Sequence, residues 1–401
     1  MAIYTREMEL RPRWKIRWLV IVLLMLPTLV WFGYSLLHPG GKKNGEKLYR
    51  LVEVPVHAEQ ASPWVMQESG TKAGLRGVYS VDGKIAWASG TGGTVLKTID
   101  GGEHWQKCAV PDADKDGSTL DFRGVQAWDA NSAIVMSSGK GDLSRLYKTA
   151  DGCHTWKLVL KNPDKDGFWD AVKFREGHGT VLGDPVNGEF EFWSSLDAGD
   201  SWVKGPVMLN GTLTGLMRHW RTPKNEGVFA ASNSALFFDM RQIIFVTGGP
   251  NGSRLLLAEY LGSVGGGGAG GSVATLPLAA GSESTGAFSI ASSDWNRWVV
   301  VGGDYRRPDD ASGTAAYSGN PGDRWHPSTT MPHGYRSSVA WSEDLKAWIT
   351  AGTNGSDISR DDGKTWQPLD DGNWNALSLP FVVGPNGRIA RLSMPANVES
   401  K

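Results

Sequence analysis

The chain has 401 residues and a formal net charge of −1 at pH 7, so it lacks the overall basic field that nucleic-acid binding uses. Its 52 glycines and 19 tryptophans fit short strands joined by tight turns, and beyond the N-terminus almost no long stretch keeps the 3.6-residue period of a helix. Two cysteines, Cys108 and Cys153, cannot build a disulfide framework. A single bridge between them is open, and two buried thiols are the expected state.

Residues 1–17 are polar and carry Arg6, Arg11, Arg13, Lys15 and Arg17. Residues 18–37 form an uncharged apolar run, long enough as a helix to cross about 30 Å of hydrocarbon. No small-residue cleavage site follows closely, so the expectation is an uncleaved transmembrane anchor with Trp18, Trp31 and Tyr34 near its ends. Lys42, Lys43, Lys47 and Arg50 lie beyond the run, which leaves a weak positive-inside bias. It places the N-terminus inside and the rest on the periplasmic, extracytoplasmic side. Residues 38–61 read as a linker and 62–397 as one domain.

That domain repeats a turn. Thr98, Asp100, Gly102 and Trp105 define a Ser/Thr-x-Asp-x-Gly-x-x-Trp pattern. It returns with Thr149, Asp151 and Trp156, with Ser195, Asp197, Gly199 and Trp202, and with Ser359, Asp361, Gly363 and Trp366. A weaker copy runs from Ser318 to Trp325 with Asn320 in place of the acid. Side-chain oxygens that accept turn amides, glycines for positive φ and a returning aromatic are what a strand-joining hairpin needs. The five tryptophans are 51, 46, 123 and 41 residues apart, the period of a β-propeller blade. The long gap leaves room for a blade without the turn, with strands expected at Gly227–Phe238, Ile243–Val246, Arg254–Tyr260 and Ser272–Leu278 and a glycine-rich third hairpin at Gly265–Gly271. The count is seven blades in an all-β fold, with six as runner-up. The last blade lacks a fourth strand, which Trp64–Glu68 can supply to close the ring.

The repeated turn resembles the Asp-box, or bacterial neuraminidase repeat, of sialidases and sortilins. A fuller match covers roughly residues 62–395: Leu75-Arg76-Gly77-Val78, Gly183-Asp184-Pro185, Phe229-Ala230-Ala231-Ser232 and Val301-Gly302-Gly303-Asp304-Tyr305 are similar to the photosystem II stability/assembly factor family. The resemblance implies a seven-bladed, non-catalytic propeller on the outer side of a membrane that acts through a protein partner, one belonging to a membrane complex.

The box turns sit at the periphery, so chemistry is expected at the opposite mouth of the channel. Arg76, Arg123 and Arg336 start inner strands, with Asp170, Glu226 and Asn375 at similar points, and Asp184, Asp304 and Tyr305 lie in loops of that face beside Tyr335. Such a mixed ring suits an anionic group or an acidic peptide, because arginine grips carboxylates in bidentate fashion; mutual pairing of these charges is the competing expectation. The alternative is a sialidase-like glycosidase, in which the three arginines hold a sugar carboxylate and Tyr305 or Tyr335 acts with Glu226. No Arg-Ile-Pro starts the domain, and no nucleophile elbow or histidine ligand spacing is present. No cofactor is expected. The run with Asp112, Asp114, Asp116 and Gly117, and its echo from Asn162 to Gly167, have calcium-loop spacing but lack the closing glutamate, so plain turns are expected.

Overall fold

The computed structural model describes residues 62–112, 120–208, 211–212, 220, 222–239, 241–261 and 268–393. The expected anchor at 18–37, the linker, Asp114 and Asp116 lie outside the described residues. Among the described residues no helix is long and apolar enough to cross a membrane, and one 3-10 turn, Gly141–Leu143, is the helical element.

Seven four-stranded antiparallel sheets form the domain. Blade 1 comprises Leu75–Ser80, Ala86–Gly90, Thr94–Thr98 and Gln106–Cys108, and blade 2 Phe122–Ala127, Ala133–Ser137, Arg145–Thr149 and Lys157–Lys161. Blade 3 comprises Trp169–Arg175, His178–Val186, Glu189–Ser195 and Val203–Lys204, and blade 4 Leu236–Phe238, Gln242–Val246, Ser253–Leu261 and Gly268–Leu276. Blade 5 holds Thr285–Asp294, Arg297–Asp304, Ala315–Ser318 and His326–Pro327, and blade 6 Ser338–Ser342, Ala347–Gly352, Gly355–Ser359 and Gln367–Asp370. Blade 7 joins Ala376–Ser378, Phe381–Val383 and Ile389–Leu392 to the first strand of the domain, Trp64–Gln67, in register from Trp64 opposite Leu392 to Gln67 opposite Ile389. The N-terminal strand therefore pairs the free edge of the last sheet, and the ring closes as expected.

The second strands Ala86–Gly90 and Ala133–Ser137 are buried at every position, as strands sandwiched between neighbouring blades must be. The tryptophans of the repeated turn seal blade to blade. Trp105 of blade 1 packs edge-on against Phe381 of blade 7, and Trp156 of blade 2 against Trp87 of blade 1.

The four full copies of the turn share one hydrogen-bond pattern. The first-position hydroxyl accepts the amide four residues on: Gly102 to Thr98 at 2.9 Å, Cys153 to Thr149 at 3.1 Å, Gly199 to Ser195 at 2.8 Å and Gly363 to Ser359 at 3.0 Å. The acid accepts the amide four residues beyond itself, at 3.0 Å in blade 1 and 2.9 Å in the other three. In the fifth copy the Asn320 side chain takes over the Gly322 amide and Ser318 donates instead to Asn320 and Arg324 carbonyls.

Three expectations fail here. Cys108 and Cys153 are not free thiols: they form a disulfide with Cα atoms 5.6 Å apart, linking the outer strand of blade 1 to the turn of blade 2. Cys153 stands where the other full copies carry glycine and keeps the positive φ, 70°, that the turn requires. Closing this loop of 45 residues constrains the unfolded chain by about 3–4 kcal/mol in the chain-entropy account. The expected strand at Gly227–Phe238 is the second failure, since only Leu236–Phe238 joins the sheet. The residues before it leave their own blade and cross the channel. Asn233 accepts the Val172 amide of blade 3 at 2.8 Å and donates to the Val125 carbonyl of blade 2, while Ser232 donates to the Ser337 carbonyl of blade 6 at 2.6 Å. The glycine run is also not all loop, because Gly268–Leu276 pairs with Ser253–Leu261 over its full length.

Candidate functional site

The loops between second and third strands and those between blades gather on one face, and there the channel opens into a cavity of about 470 Å³. Its wall follows from the pleat. One residue at the start of each inner strand turns into the sheets: Leu75, Phe122, Trp169, Ala287, Arg336 and Trp374 are all fully buried. The next residue then faces the channel, which brings Arg76, Arg123, Asp170, Phe288, Ser337 and Asn375 into one ring around the cavity. In blade 4 the place is taken by the crossing stretch, with Phe229, Ala230 and Ala231.

Of the expected site residues, Arg76, Arg123, Asp170, Asp184, Tyr305, Tyr335 and Asn375 line this cavity. Arg336 does not. It lies one residue out of phase, and Ser337 holds the channel position of blade 6. Arg336 instead runs through the sheet, where it donates to Asp357 at 2.6 Å, to the Tyr335 carbonyl at 2.7 Å and to Asn354 at 2.5 Å. Glu226 also leaves the ring, held by Arg254 at 2.5 Å and by the Thr247 hydroxyl at 2.7 Å. Asp304 folds back on its own loop and accepts from Arg307 at 2.9 Å and from the Arg306 amide at 3.0 Å.

The remaining residues divide the cavity into chemically distinct sides. Arg76 and Arg123 face Asp121 between them, at 4.0 and 2.8 Å, and Arg123 donates to the Ala230 carbonyl at 2.9 Å. A second side is aromatic. Phe229 and Phe288 stack with centroids 3.9 Å apart, Tyr335 meets Phe288 edge-on at 4.8 Å, and Tyr305 covers both phenyl rings at the rim, 43% exposed. Sequence reading missed Phe229 and Phe288, although the pleat alternation that placed Arg76 and Asn375 also points Phe288 inward.

The third side belongs to blade 3 and holds Asp170 and Asp184. Asp170 is 1% exposed, and neither of its oxygens makes a hydrogen bond of normal geometry. Burial, then the neighbouring Asp184, push its carboxyl well above the usual range; Arg123 and the backbone amides of Asp184 and Ala230 offset only part of this. Asp184 accepts one bond, from the Val228 amide at 2.9 Å, and burial raises its pKa to about 6. The Tyr335 hydroxyl is likewise pushed above its ordinary value by burial.

The calcium-loop expectation meets competing partners in its second copy. Asn162 and Asp164 oxygens accept the backbone amides of Asp164 and Asp166, and Asp166 pairs with Lys140 at 3.1 Å and Lys165 at 3.3 Å.

No protein-family model matches the chain. Over 367 residues it is 21% identical to the photosystem II assembly lipoprotein Ycf48 of Synechococcus sp. (strain CC9902), which covers 86% of this chain and 93% of that protein. The propeller superposes on solved YCF48 from Cyanidioschyzon merolae with a TM-score of 0.57 at 18% identity, covering 83% of this chain and 99% of the other. A solved YCF48 bound to a D1 peptide gives 0.54 at 16% identity, covering 83% and 97%. The chain is thus similar to the photosystem II assembly factor Ycf48 in sequence and shares the propeller fold of the solved proteins.

Proposed function

We propose that this protein is a non-catalytic scaffold whose propeller mouth binds a peptide segment of a partner and so assists assembly of a membrane complex. The observation that carries the reading is the mouth itself: a cavity of about 470 Å³ with arginines, carboxylates and a stacked aromatic pair drawn from several blades. An extended peptide has backbone amides, apolar side chains and charged groups to match each side. The relatives point the same way, since one is named a photosystem II assembly lipoprotein and another was solved with a D1 peptide. The repeated turns act as Asp-boxes that fix the blades, outside this site.

The same reading makes residues 18–37 a membrane anchor with the N-terminus inside and the propeller on the extracytoplasmic side. The Cys108–Cys153 bridge supports an oxidising compartment. A glycosidase reading is weaker on the geometry. The third arginine is committed to Asp357, Glu226 is committed to Arg254, and Tyr335 holds its proton too firmly to serve as a nucleophile.

The test is affinity purification of the full chain from membranes of its host, in the wild type and in Arg76→Ala and Tyr305→Ala variants. A defined complex should co-purify with the wild type and be lost from both variants. Retention by both would overturn the mouth as the binding site, and hydrolysis of a sialoside by the purified chain would overturn the scaffold reading.

A further inference from the structure

Asp170 and Asp184 have no task in the packing that accounts for them. Blade 3 is the one blade whose ring position carries an acid, and that acid is sealed from solvent with neither oxygen in a normal hydrogen bond. Asp184, half-buried on the cavity wall, uses one oxygen for the Val228 amide. The nearby arginines do not complete the pair, because Arg123 is engaged by Asp121 and by the Ala230 carbonyl and Arg76 also faces Asp121. A sealed carboxyl beside a half-buried one is costly to keep charged, and the cost is relieved by a donor that arrives from outside.

We propose that the Asp170–Asp184 pair is a cation subsite of the mouth, which receives a lysine or arginine side chain or an amino terminus from the bound peptide. This rests on the peptide-binding reading above and names what one side of the mouth selects. The donor meets Asp184 first, and the sealed Asp170 beyond it gives up its proton as the cation arrives. The aromatic faces of Phe229 and Phe288 share the cavity, and aromatic faces attract a desolvated cation. A metal ion fits less well. Among the described residues the group of three or more acids and histidines able to converge on an ion is Asp100, Glu103 and His104, in a box turn, so the pair has no third such ligand. The mouth as a whole is then read in two charges, with Arg76 and Arg123 toward an acidic group and the aspartates toward a basic one.

The test uses the detergent-solubilised full chain and a phage-displayed library of short random peptides, with selected sequences resynthesised for calorimetry. Peptides that compete with one another and are lost with Arg76→Ala define mouth binders. These should carry a lysine, an arginine or an essential free amino terminus, and N-terminal acetylation tells the two sources apart. Replacing the basic residue by glutamine should weaken binding to the wild type about tenfold or more, and should have little effect on an Asp170→Asn/Asp184→Asn variant. That variant should also melt higher than the wild type at neutral pH, which shows that it folds and that the acids are kept at a cost. Mouth binders with no basic group, or an equal glutamine penalty in both proteins, would overturn the subsite and leave the peptide-binding reading standing. A library that yields no mouth binder would overturn both.

Discussion

Asp197 and Asp184 both belong to blade 3, 13 residues apart in sequence, and their surroundings treat them in opposite ways. Asp197, in the turn on the box face, accepts the Ser201 amide at 2.9 Å and the hydroxyls of Ser201 and Ser195 at 2.6 and 2.8 Å. Those donors hold its pKa down to about 2. Asp184, at the mouth, has one amide and a low-dielectric wall, and its pKa rises to about 6. Burial raises the one and hydrogen-bond donors lower the other, and the balance separates acids that build the fold from acids left available to a ligand.

The sharpest way to break this contrast is to turn a supplied acid into a starved one. Asp357 is fully buried and held by Arg336. Arg336→Ala removes its permanent cation and leaves it the His333 amide and imidazole, at 3.1 and 2.8 Å, and denaturant titration should show a loss of about 3–5 kcal/mol. Preservation of wild-type stability would mean that buried acids in this propeller do not depend on their donors.

Next in size is the crossing stretch that forms the floor of the mouth. Asn233→Ala leaves the Val172 amide and Val125 carbonyl without their buried partner, and should cost about 1–3 kcal/mol. Because Ala230 on the same stretch also binds Arg123, peptide binding should weaken with it. An unaltered binding isotherm would separate the floor from the site.

The mouth acids should show the reverse sign. A carboxyl whose folded pKa lies near 6, above its ordinary 3.8, contributes stability below that ordinary value and loses it as pH rises through about 6. Asp184→Asn should therefore flatten the fall in stability between about pH 4 and pH 7 and raise it at neutral pH by on the order of 1–2 kcal/mol. Calorimetric melts across that range check it, and a lowered Tm at neutral pH would contradict the assignment. Asp197 has the opposite linkage: its contribution is present above 3.8 and disappears as pH falls through about 2. Since Asp197 is exposed, Asp197→Ala should give the smallest effect of the four, a drop in Tm of about 2 °C at neutral pH that vanishes in strong acid.

Much of this division was legible in the residues. The box pattern located four turns, set their face and placed the mouth opposite. Phase was harder. A one-residue slip in blade 6 turned Arg336 from the channel into the sheet, because the side-chain period of a strand is two and nothing in Pro332-His333-Gly334-Tyr335 fixes where the ladder begins. The disulfide carried a sequence signal, a cysteine in the glycine place of the second box, which makes sense only once Cys108 is seen across the blade boundary.

By itself, then, the sequence determined the all-β propeller, a preferred count of seven blades over six, the closing strand at Trp64 and the turns that lock the sheets, since each rests on local spacing and turn chemistry. Tertiary structure alone decided which charges are spent and which are available. Asp121 engages the arginines, Arg254 engages Glu226, the boxless blade sends Phe229–Asn233 across the channel, and Asp170 and Asp184 are left short of donors. Pairing and burial are set between residues far apart in the chain, where no local pattern reaches.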